Sequence, residues 1–206
     1  MKIAIFGFGN VGQRLAQLFI KAGHSVIICT QKNAPQPSPF ATATFVEGAE
    51  QADVVALAIP FTAAVDILKP LAAPLVGKIV LDCTNPLQAD WSPLLLGQEN
   101  SAAEELARVV PGASVVKAFN TIFADMMVEE YQVWDGVRTS AFVASDDPVA
   151  RNTILRLAEE LGFAPVEVGP LKMARYLEAL AHLNIQLAVA QRGGTRAAFL
   201  YRRVNV

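Results

Sequence analysis

The chain has 206 residues, of which 53% are hydrophobic and 17% are charged, with a formal net charge of −2. This length and composition are typical of one large domain with a well-buried sheet, and they exclude an intrinsically disordered chain. The small negative charge gives no electrostatic basis for binding nucleic acid or an anionic membrane. The longest charge-free apolar stretch, Val54 to Val65, is too short for the ~20 residues of a membrane helix. We therefore expect a cytoplasmic protein without a transmembrane segment.

The N-terminal residues have the pattern of a strand, a glycine-rich turn and a helix. Ile3 to Phe6 predict a buried strand, and the next six residues fit the spacing G-x-G-x-x-G. In that motif the first glycine allows a tight turn, the second lets a pyrophosphate approach the backbone, and the third lets the helix pack closely. Free N–H groups at the helix start favour the phosphates. The predicted pyrophosphate turn consists of Gly7, Phe8, Gly9, Asn10, Val11 and Gly12.

The end of the second predicted strand, His24 to Cys29, indicates which dinucleotide is bound. Proteins that bind NAD usually have Asp or Glu there, because an acid bonds the ribose 2′-hydroxyl. This chain has Thr30, Gln31 and Lys32 at that position, and none of them is acidic. A hydroxyl, an amide and an ammonium group suit a 2′-phosphate. The sequence therefore favours NADP(H) over NAD.

Further apolar runs predict an α/β fold, a Rossmann-type doubly wound and mostly parallel sheet with a long C-terminal helix. The remaining strands are predicted at residues 43–46, 54–59, 78–83, 114–119, 141–144 and 165–168. Shorter helices are predicted at residues 47–52, 62–68, 101–109 and 146–161. Thr62 is the predicted N-cap of the second helix, and Ser101 and Glu104 are predicted to form a capping box at the start of the third. The start of the fourth helix explains both Asp146 and Asp147.

A long, weakly charged helix is predicted from Leu171 to Gln191. Its apolar residues nearly encircle it, which indicates burial against the sheet or a partner subunit. We expect a single NADP-binding domain over residues 1–206, with a helical extension from about residue 170 and a homodimer formed through the C-terminal helix.

The candidate site lies at the carboxyl ends of the strands, where doubly wound sheets bind their ligands. Three stretches follow predicted strands: Ile59-Pro60-Phe61, Thr84-Asn85-Pro86 and Ala118-Phe119-Asn120. With the glycine turn they outline one cleft.

The cleft has no Ser/His/Asp or Cys/His constellation, so no catalytic residue and no metal site are predicted. Asp82 is better explained as a turn-forming or N-cap carboxylate, and His182 as a packing or interface residue that shares a helical face with Arg175 and Glu178. Cys29 and Cys83 are interpreted as buried thiols.

The chain resembles the small NADP oxidoreductases typified by coenzyme F420-dependent NADP reductase, and it is similar to the cytoplasmic NADPH domain of six-transmembrane metalloreductases. The string V-V-K-A-F-N-T-I at Val115 to Ile122 is more specific than the glycines. The other matching segments are Gly7 to Gly12, Ile59-Pro60, Thr84-Asn85-Pro86, Gly169-Pro170-Leu171, Ala174-Arg175 and Leu177-Glu178.

The resemblance implies a role for each predicted site residue. Phe8 to Val11 would contact the pyrophosphate, and residues 30–32 match the 2′-phosphate loop. Gln31 stands where the family usually has arginine, which weakens the NADP preference without removing it, and Lys32 can compensate. Ile59, Pro60 and Ala118 would line the nicotinamide side, whereas Phe61, Asn85, Pro86 and Asn120 would flank the second substrate. Phe61 and Asn85 are also assigned to the cofactor, and Phe119 to the substrate.

The leading interpretation is an NADPH-dependent oxidoreductase that transfers hydride between NADP(H) and a flavin-like or deazaflavin (F420) acceptor. Such a reaction depends on the positioning of two rings and needs little acid–base chemistry from the protein. Two alternatives stay open. One is an NADPH-dependent imine or carbonyl reductase, although the related enzymes carry an additional C-terminal helical domain. The other is a non-catalytic NADPH-binding sensor module.

Overall fold

The computed structural model describes residues 1–30, 40–97 and 99–204 of the chain. Eight strands form one sheet in the order β10-β9-β6-β5-β4-β1-β2-β3, and a hairpin of β7 and β8 stands apart. The strands are β1 (Lys2–Phe6), β2 (Ser25–Cys29), β3 (Ala41–Ala43), β4 (Val54–Leu57), β5 (Ile79–Asp82), β6 (Ser114–Lys117), β7 (Val133–Trp134), β8 (Val137–Arg138), β9 (Ser140–Ala144) and β10 (Ala164–Gly169).

Neighbouring strands of the large sheet are parallel, except that β6 and β9 run antiparallel where Lys117 faces Ala144. The chain leaves β1 toward β2 and β3, and then returns to the other side of β1 to add β4. The carboxyl ends of β1 and β4 therefore flank the crevice where the strand order reverses, which is the ligand position in open α/β sheets. The predicted doubly wound, mostly parallel sheet is confirmed.

Helices cover both faces of the sheet among the described residues. The predicted C-terminal helix is confirmed as three consecutive segments, a 3-10 turn at Leu171–Met173, an α-helix, and a π-helical turn at Gln186–Ala190. The α-helices are α1 (Asn10–Lys21), α2 (Phe45–Gln51), α3 (Phe61–Leu68), α4 (Ala102–Val109), α5 (Glu129–Gln132), α6 (Pro148–Glu160) and α7 (Ala174–Ile185).

The central strand β1 shows how the two faces are packed. Ile3 and Ile5 belong to a core cluster that includes α1 and α6, whereas Ala4 and Phe6 belong to a second cluster with α2, α3 and α4. All four side chains are fully buried. A central parallel strand buries both faces, which explains its unbroken apolar run, and each large side chain contributes about 1.5–3 kcal/mol.

Two of the predicted helix starts are wrong, because α2 and α3 each begin earlier than predicted. The third strand ends at Ala43, and Val46 belongs to α2 because Thr44 and Glu47 form a reciprocal capping box. Thr62 is not an N-cap, because α3 already begins at Phe61 and its N-cap residue, Pro60, makes no side-chain hydrogen bond. Both shifts are a few residues long and leave the order of elements unchanged.

The two acids before α6 serve two different elements, which corrects the prediction that one helix start explains both. Asp147 is the N-cap, since its carboxylate accepts hydrogen bonds from the N–H groups of Val149 and Ala150. Asp146 instead accepts from the N–H of Leu171 at 2.9 Å, at the turn that leads into α7. The pair thus joins the start of α6 to the start of the C-terminal helix.

Candidate functional site

The glycine turn between β1 and α1 has the geometry that its sequence predicts. Gly7 has a φ of +101°, and a Cβ there would lie 2.5 Å from the carbonyl oxygen of Ala58. A Cβ on Gly12 would collide with the carbonyl oxygen of Gly7. By contrast, a Cβ on Gly9 would meet no atom of the described residues within 4 Å, and Gly9 is exposed. The turn therefore has open space over Gly9, where a pyrophosphate would approach the backbone.

The start of α1 is free to bind an anion. Gly9 is the N-cap residue and supplies no side-chain cap, and the first turn of α1 contains no acidic residue. No side chain among the described residues caps the first N–H groups of the helix, and the helix dipole favours negative charge there. Half-buried Phe8 is held beside this turn, because its carbonyl oxygen accepts from Gln13 Nε2 at 3.0 Å and its ring meets Phe40 edge-on at 5.4 Å.

Thr30 lies close to the same turn. It follows Cys29, the last residue of β2, whose carbonyl oxygen accepts from the N–H of Gly7 at 2.9 Å. The predicted 2′-phosphate residues Gln31 and Lys32 lie outside the described residues, so their roles stay predictions.

A cavity of about 400 Å³ adjoins the glycine turn. Its walls come from the start of α1, the segments that follow β5 and β6, and one side of α7 with the turn beyond it. Most of the lining is apolar, with Val11, Ile122 and Ile185 on three different walls. The structure thus brings five predicted site residues into the lining of one cavity: Asn10, Val11, Asn85, Phe119 and Asn120.

Other predicted residues are not part of the cavity lining. Ile59 is beside the glycine turn, since its Cγ2 would lie 2.6 Å from a Cβ on Gly7, and Pro60 is exposed at the start of α3. Phe61 and Ala118 are 7% and 0% exposed and belong to the core clusters. Pro86 is buried next to the cavity. Their assigned contacts with cofactor or substrate stay predictions.

Phe119 combines two features at the end of β6. Its φ of +61° is uncommon for a residue with a side chain, and its ring is 2% exposed and packs edge-on against Phe163 at 5.6 Å. The side chain is thus an anchor in the core, and the unusual backbone directs the chain toward the cavity wall at Asn120.

Asn85 and Asn120 tie two strand ends together at the cavity wall. Asn120 Nδ2 donates to Asn85 Oδ1 at 2.9 Å and to the carbonyl oxygen of Leu177 at 3.0 Å. Asn85 Nδ2 donates in return to the carbonyl oxygen of Asn120 at 2.8 Å. Because both partners of Asn120 Nδ2 are acceptors, the orientation of this amide is fixed.

A fully buried lysine lies directly behind this wall. Lys117 Nζ is 2.9 Å from Asp82 Oδ2, 2.8 Å from Glu178 Oε1 and 2.6 Å from the carbonyl oxygen of Thr84. Burial lowers the pKa of Lys117, but the two carboxylates raise it more, so the net pKa lies above its ordinary value of 10.5. The predicted turn-forming role of Asp82 is also present, because its Oδ1 accepts from the N–H of Thr84 at 2.9 Å.

One polar face of α7 connects this cluster to two other segments. Glu178 accepts from the N–H groups of Ala102 and Ala103 at 2.9 and 3.2 Å, so it caps α4 as well as pairing with Lys117. His182 Nε2 is 3.1 Å from the carbonyl oxygen of Pro86, which agrees with the predicted packing role. The loop at residues 84–86 is consequently held at all three positions, by the lysine, by the asparagine pair and by the histidine.

The two cysteines lie in different places, but both have a raised thiol pKa. Cys29 is buried beneath α2, where a Cβ on Gly48 would collide with its Sγ, and burial raises its pKa to about 12. Cys83 lies at the cavity wall, and burial together with the charge of Asp82 raises its pKa well above the ordinary value. Both thiols are therefore protonated at neutral pH and are poor nucleophiles. Among the described residues, no cluster of His, Cys, Asp and Glu could hold a metal ion.

Comparisons with known proteins identify the family. A family model described as NADP oxidoreductase, coenzyme F420-dependent, matches residues 2–86, which include the glycine turn and the loop after β5. An F420-dependent NADP reductase of Methanothermobacter thermautotrophicus is 32% identical over 215 residues, covering 93% of this chain and 91% of that protein. The chain belongs to the F420-dependent NADP oxidoreductase family.

Two further similarities extend along the chain. Metalloreductase STEAP3 of Rattus norvegicus is 32% identical over 182 residues, which cover 87% of this chain but only 36% of the rat protein. A crystal structure of a protein from Arthrobacter sp. FB24 superposes with a TM-score of 0.88 at 29% identity, covering 98% of this chain and 100% of that one. Within the described part of this family member, no helix has the length and apolar character needed to cross a membrane.

The ion cluster around Lys117 was not predicted from the sequence. One signal was available, because a lysine in the middle of the apolar run V-V-K-A-F cannot reach water and must have a buried partner. The sequence does not identify that partner, since Asp82 is 35 positions away and its own context indicates a turn residue. The capping role of Glu178 was likewise missed, because it acts on α4, 75 and 76 positions earlier.

The Arg175–Glu104 pair is an acid-sensitive contact between α7 and α4. Arg175 Nε and Nη2 donate to the two carboxylate oxygens of Glu104 at 2.9 and 2.7 Å, and these bonds hold the pKa of Glu104 below its ordinary value near 4.5. A lowered pKa stabilises the fold above the unfolded-state pKa, and this stabilisation is lost as the pH falls through the folded-state pKa. Glu104→Gln should therefore melt about 2–4 °C below wild type at pH 7, a loss of about 1 kcal/mol for a partly exposed pair.

Thermal melting at pH 7 and at pH 3.5 checks this result, and the gap between Glu104→Gln and wild type should shrink at the lower pH. Glu129→Gln is the matched control, because its carboxylate pairs with Lys21 at a site that is 75% exposed and should contribute little at either pH. A gap that is equally large at both values would mean that the Arg175–Glu104 contact is not its source.

Proposed function

We propose that this protein is an NADPH-dependent oxidoreductase that transfers hydride between NADP(H) and a flavin-like or deazaflavin acceptor such as F420. The observation that carries the proposal is the cavity of about 400 Å³ with mainly apolar walls, which opens beside a glycine turn shaped for a pyrophosphate. A dinucleotide anchored at this turn would direct its other end along the strand ends toward the cavity. The family membership of the chain supports the same activity.

The residues have separate tasks in this proposal. Gly9 and the backbone N–H groups of Asn10 and Val11 hold the pyrophosphate, because the helix start there is exposed and has no capping side chain. The walls at Asn85 and Asn120 fix the depth to which the acceptor ring can enter. When bound, NADPH supplies the hydride, and the acceptor ring gains it together with one proton from solvent. Apolar walls exclude water from the space between the rings.

The side chains around the cavity agree with a reaction that depends on ring positioning. His182 contacts the carbonyl oxygen of Pro86, and the Cys83 thiol has a raised pKa and stays protonated at neutral pH. Lys117 is fully buried behind the wall. The protein's contribution is therefore to align two rings about 3–3.5 Å apart, which can supply a large part of the rate enhancement.

Stopped-flow absorbance at 340 nm tests the proposal. NADPH should be oxidised by F420 or by flavin mononucleotide, and ferric chelates and a cyclic imine serve as rival acceptors. Oxidation by the imine alone would contradict the proposal and favour an imine reductase. Tight NADPH binding without oxidation by any of the four acceptors would instead favour a sensor module.

The cofactor preference rests on the residues after β2. Lys32→Ala should raise KM for NADPH by roughly 10- to 100-fold and leave KM for NADH nearly unchanged, because a lysine–phosphate contact contributes about 1.5–3 kcal/mol. Initial rates with each dinucleotide check this expectation, with Lys21→Ala on α1 as the control for loss of an exposed lysine. If Lys32→Ala raises KM for NADPH and KM for NADH equally, Lys32 does not contact the 2′-phosphate.

We also propose that the protein works in the cytoplasm as a homodimer formed through the C-terminal helix. Support comes from apolar side chains that stay exposed along this helix, with Tyr176, Leu183 and Leu187 exposed by 69%, 50% and 46%. Their spacing of seven and four residues puts them on one side of the helix, as expected for a face that a second subunit covers. Sedimentation equilibrium should give twice the chain mass of 22.1 kDa, and a monomer mass would contradict the pairing.

A further inference from the structure

We infer that Trp91 stacks on the ring of the acceptor at the mouth of the cavity and makes the site selective for planar aromatic acceptors. This inference deepens the proposed function and rests on it. Trp91 lines the cavity, yet 60% of the residue is exposed. The exposed indole and the apolar cavity lining beside it are two apolar surfaces that face solvent. A planar ring bound between the indole and the lining would cover both surfaces.

The loop that carries Trp91 is built to hold it in place. The N–H groups of Gln88 and Leu94 donate to the carbonyl oxygens of Ser92 and Pro86, both at 2.8 Å, and Leu87 and Pro93 form a β-bridge. These contacts close the loop on itself directly after the wall at residues 84–86. Trp91 therefore projects from a defined turn beside the cavity wall.

The backbone of Trp91 supports the same conclusion. Its φ is +69°, a left-handed conformation that residues with side chains rarely adopt. Its N–H donates to the carbonyl oxygen of Gln88 at 3.0 Å, and the Asp90 carboxylate accepts from the N–H and hydroxyl of Ser92 at 3.0 and 2.6 Å. The hydrogen bonds before and after Trp91 thus hold its backbone in this unusual conformation, and its indole lines the cavity.

The rest of the cavity suits a flat ring opposite Trp91. Val11 lies on the wall of the glycine turn, Ile122 follows β6, and Ile185 is at the end of α7. The amides of Asn10 and Asn85 are part of the same lining and can meet the polar edge of a heterocycle. Aromatic side chains prefer offset-stacked or edge-to-face contacts with such rings, and stacking tolerates different substituents because it uses the ring face.

The chain provides a matched control for this inference. Its second tryptophan, Trp134, is 73% exposed on the β7–β8 hairpin, and it lines a different hollow with Tyr131 and Arg196. Both tryptophans are exposed, so their replacement should leave the melting temperature nearly unchanged. Only Trp91 lies at the proposed acceptor site.

The experiment measures KM for F420 and for flavin mononucleotide at saturating NADPH, and KM for NADPH at saturating acceptor. Trp91→Ala and Trp91→Leu should raise KM for the acceptor by about tenfold, because a stacking contact is lost in both. Trp91→Phe keeps an aromatic ring and should stay within about threefold of wild type, and Trp134→Ala should match wild type. KM for NADPH should not change in any variant.

The outcomes separate this inference from the function on which it rests. If wild type oxidises NADPH with an aromatic acceptor but Trp91→Leu has the wild-type KM for it, the stacking role is overturned and the function stands. An equal rise in KM for NADPH would also overturn it, by assigning Trp91 to the cofactor. If wild type oxidises NADPH with neither aromatic acceptor, both the function and the inference fail.

Discussion

Lys117→Ala is expected to lower the free energy of unfolding by about 3–5 kcal/mol, the usual cost of removing one partner from a buried ion cluster. The lysine and Asp82 are fully buried, and the side chain of Glu178 is 5% exposed. Without the ammonium group, two carboxylates would remain close together in the core with no compensating charge. The carbonyl oxygen of Thr84 would also lose its donor.

Urea denaturation followed by circular dichroism at pH 7 measures this loss. Lys21→Ala is the control, because the Lys21–Glu129 pair is 61% and 75% exposed and should contribute less than about 1 kcal/mol. Lys117→Met, which keeps most of the side-chain volume, should be nearly as destabilised as Lys117→Ala, because charge and not packing is decisive. Equal losses for the variants at Lys117 and Lys21 would disprove the role of the buried cluster.

The direction in which pH changes the stabilisation by Lys117 follows from its raised pKa. Because the pKa of Lys117 is raised in the folded state, its stabilisation is present below the unfolded-state value of about 10.4 and is lost only as the pH rises through the folded-state pKa. Titration of Lys117 itself should therefore leave the stability of wild type unchanged between pH 7 and pH 9.

Gly9→Val should weaken NADPH binding by roughly 100-fold, which corresponds to about 2.7 kcal/mol, while the melting temperature stays within about 2 °C of wild type. Gly9 is exposed, its φ of −74° and ψ of −167° are extended backbone that valine adopts readily, and a Cβ would meet no described atom within 4 Å. The protein itself should therefore tolerate the side chain. The pyrophosphate should not, because it must approach the backbone at this position.

Isothermal titration calorimetry gives the dissociation constant for NADPH, and a thermal melt of the same samples gives the melting temperature. Gly12→Ala is the contrasting variant, because its Cβ would collide with the carbonyl oxygen of Gly7 and should destabilise the turn itself. Undiminished NADPH affinity in Gly9→Val would place the pyrophosphate elsewhere and would remove the basis of the proposed cofactor site.

The sequence predicted those parts of the site that depend on local pattern. The glycine spacing, the apolar strands and the polar residues that follow them are contiguous signals, and the structure brings Asn10, Asn85 and Asn120 into the lining of one cavity. Parallel strands in a doubly wound sheet must end at a common edge, so the cleft followed from the order of elements. The boundary at Val46 failed because a capping box is stronger than a short apolar run.

The remaining features depend on contacts between distant segments. Nothing near Glu178 in the sequence indicates that it caps α4, and the closed loop that presents Trp91 depends on backbone hydrogen bonds that have no residue signature. Periodicity also assigns an apolar face to α7 without showing which polar residues on it carry structural contacts. These features became visible only once the fold had set the distances.

The loop at residues 84–86, held by Lys117, by Asn120 and by His182, has a consequence for how this site can change. A wall whose three residues are each tied to a different element acts as a fixed template, and a ligand must conform to it. Substitutions in this loop would disturb the core. Substitutions elsewhere around the cavity could change the acceptor preference with a smaller loss of stability. The segment that carries Trp91 is such a place, and related proteins that use different acceptors should diverge there first while keeping the template.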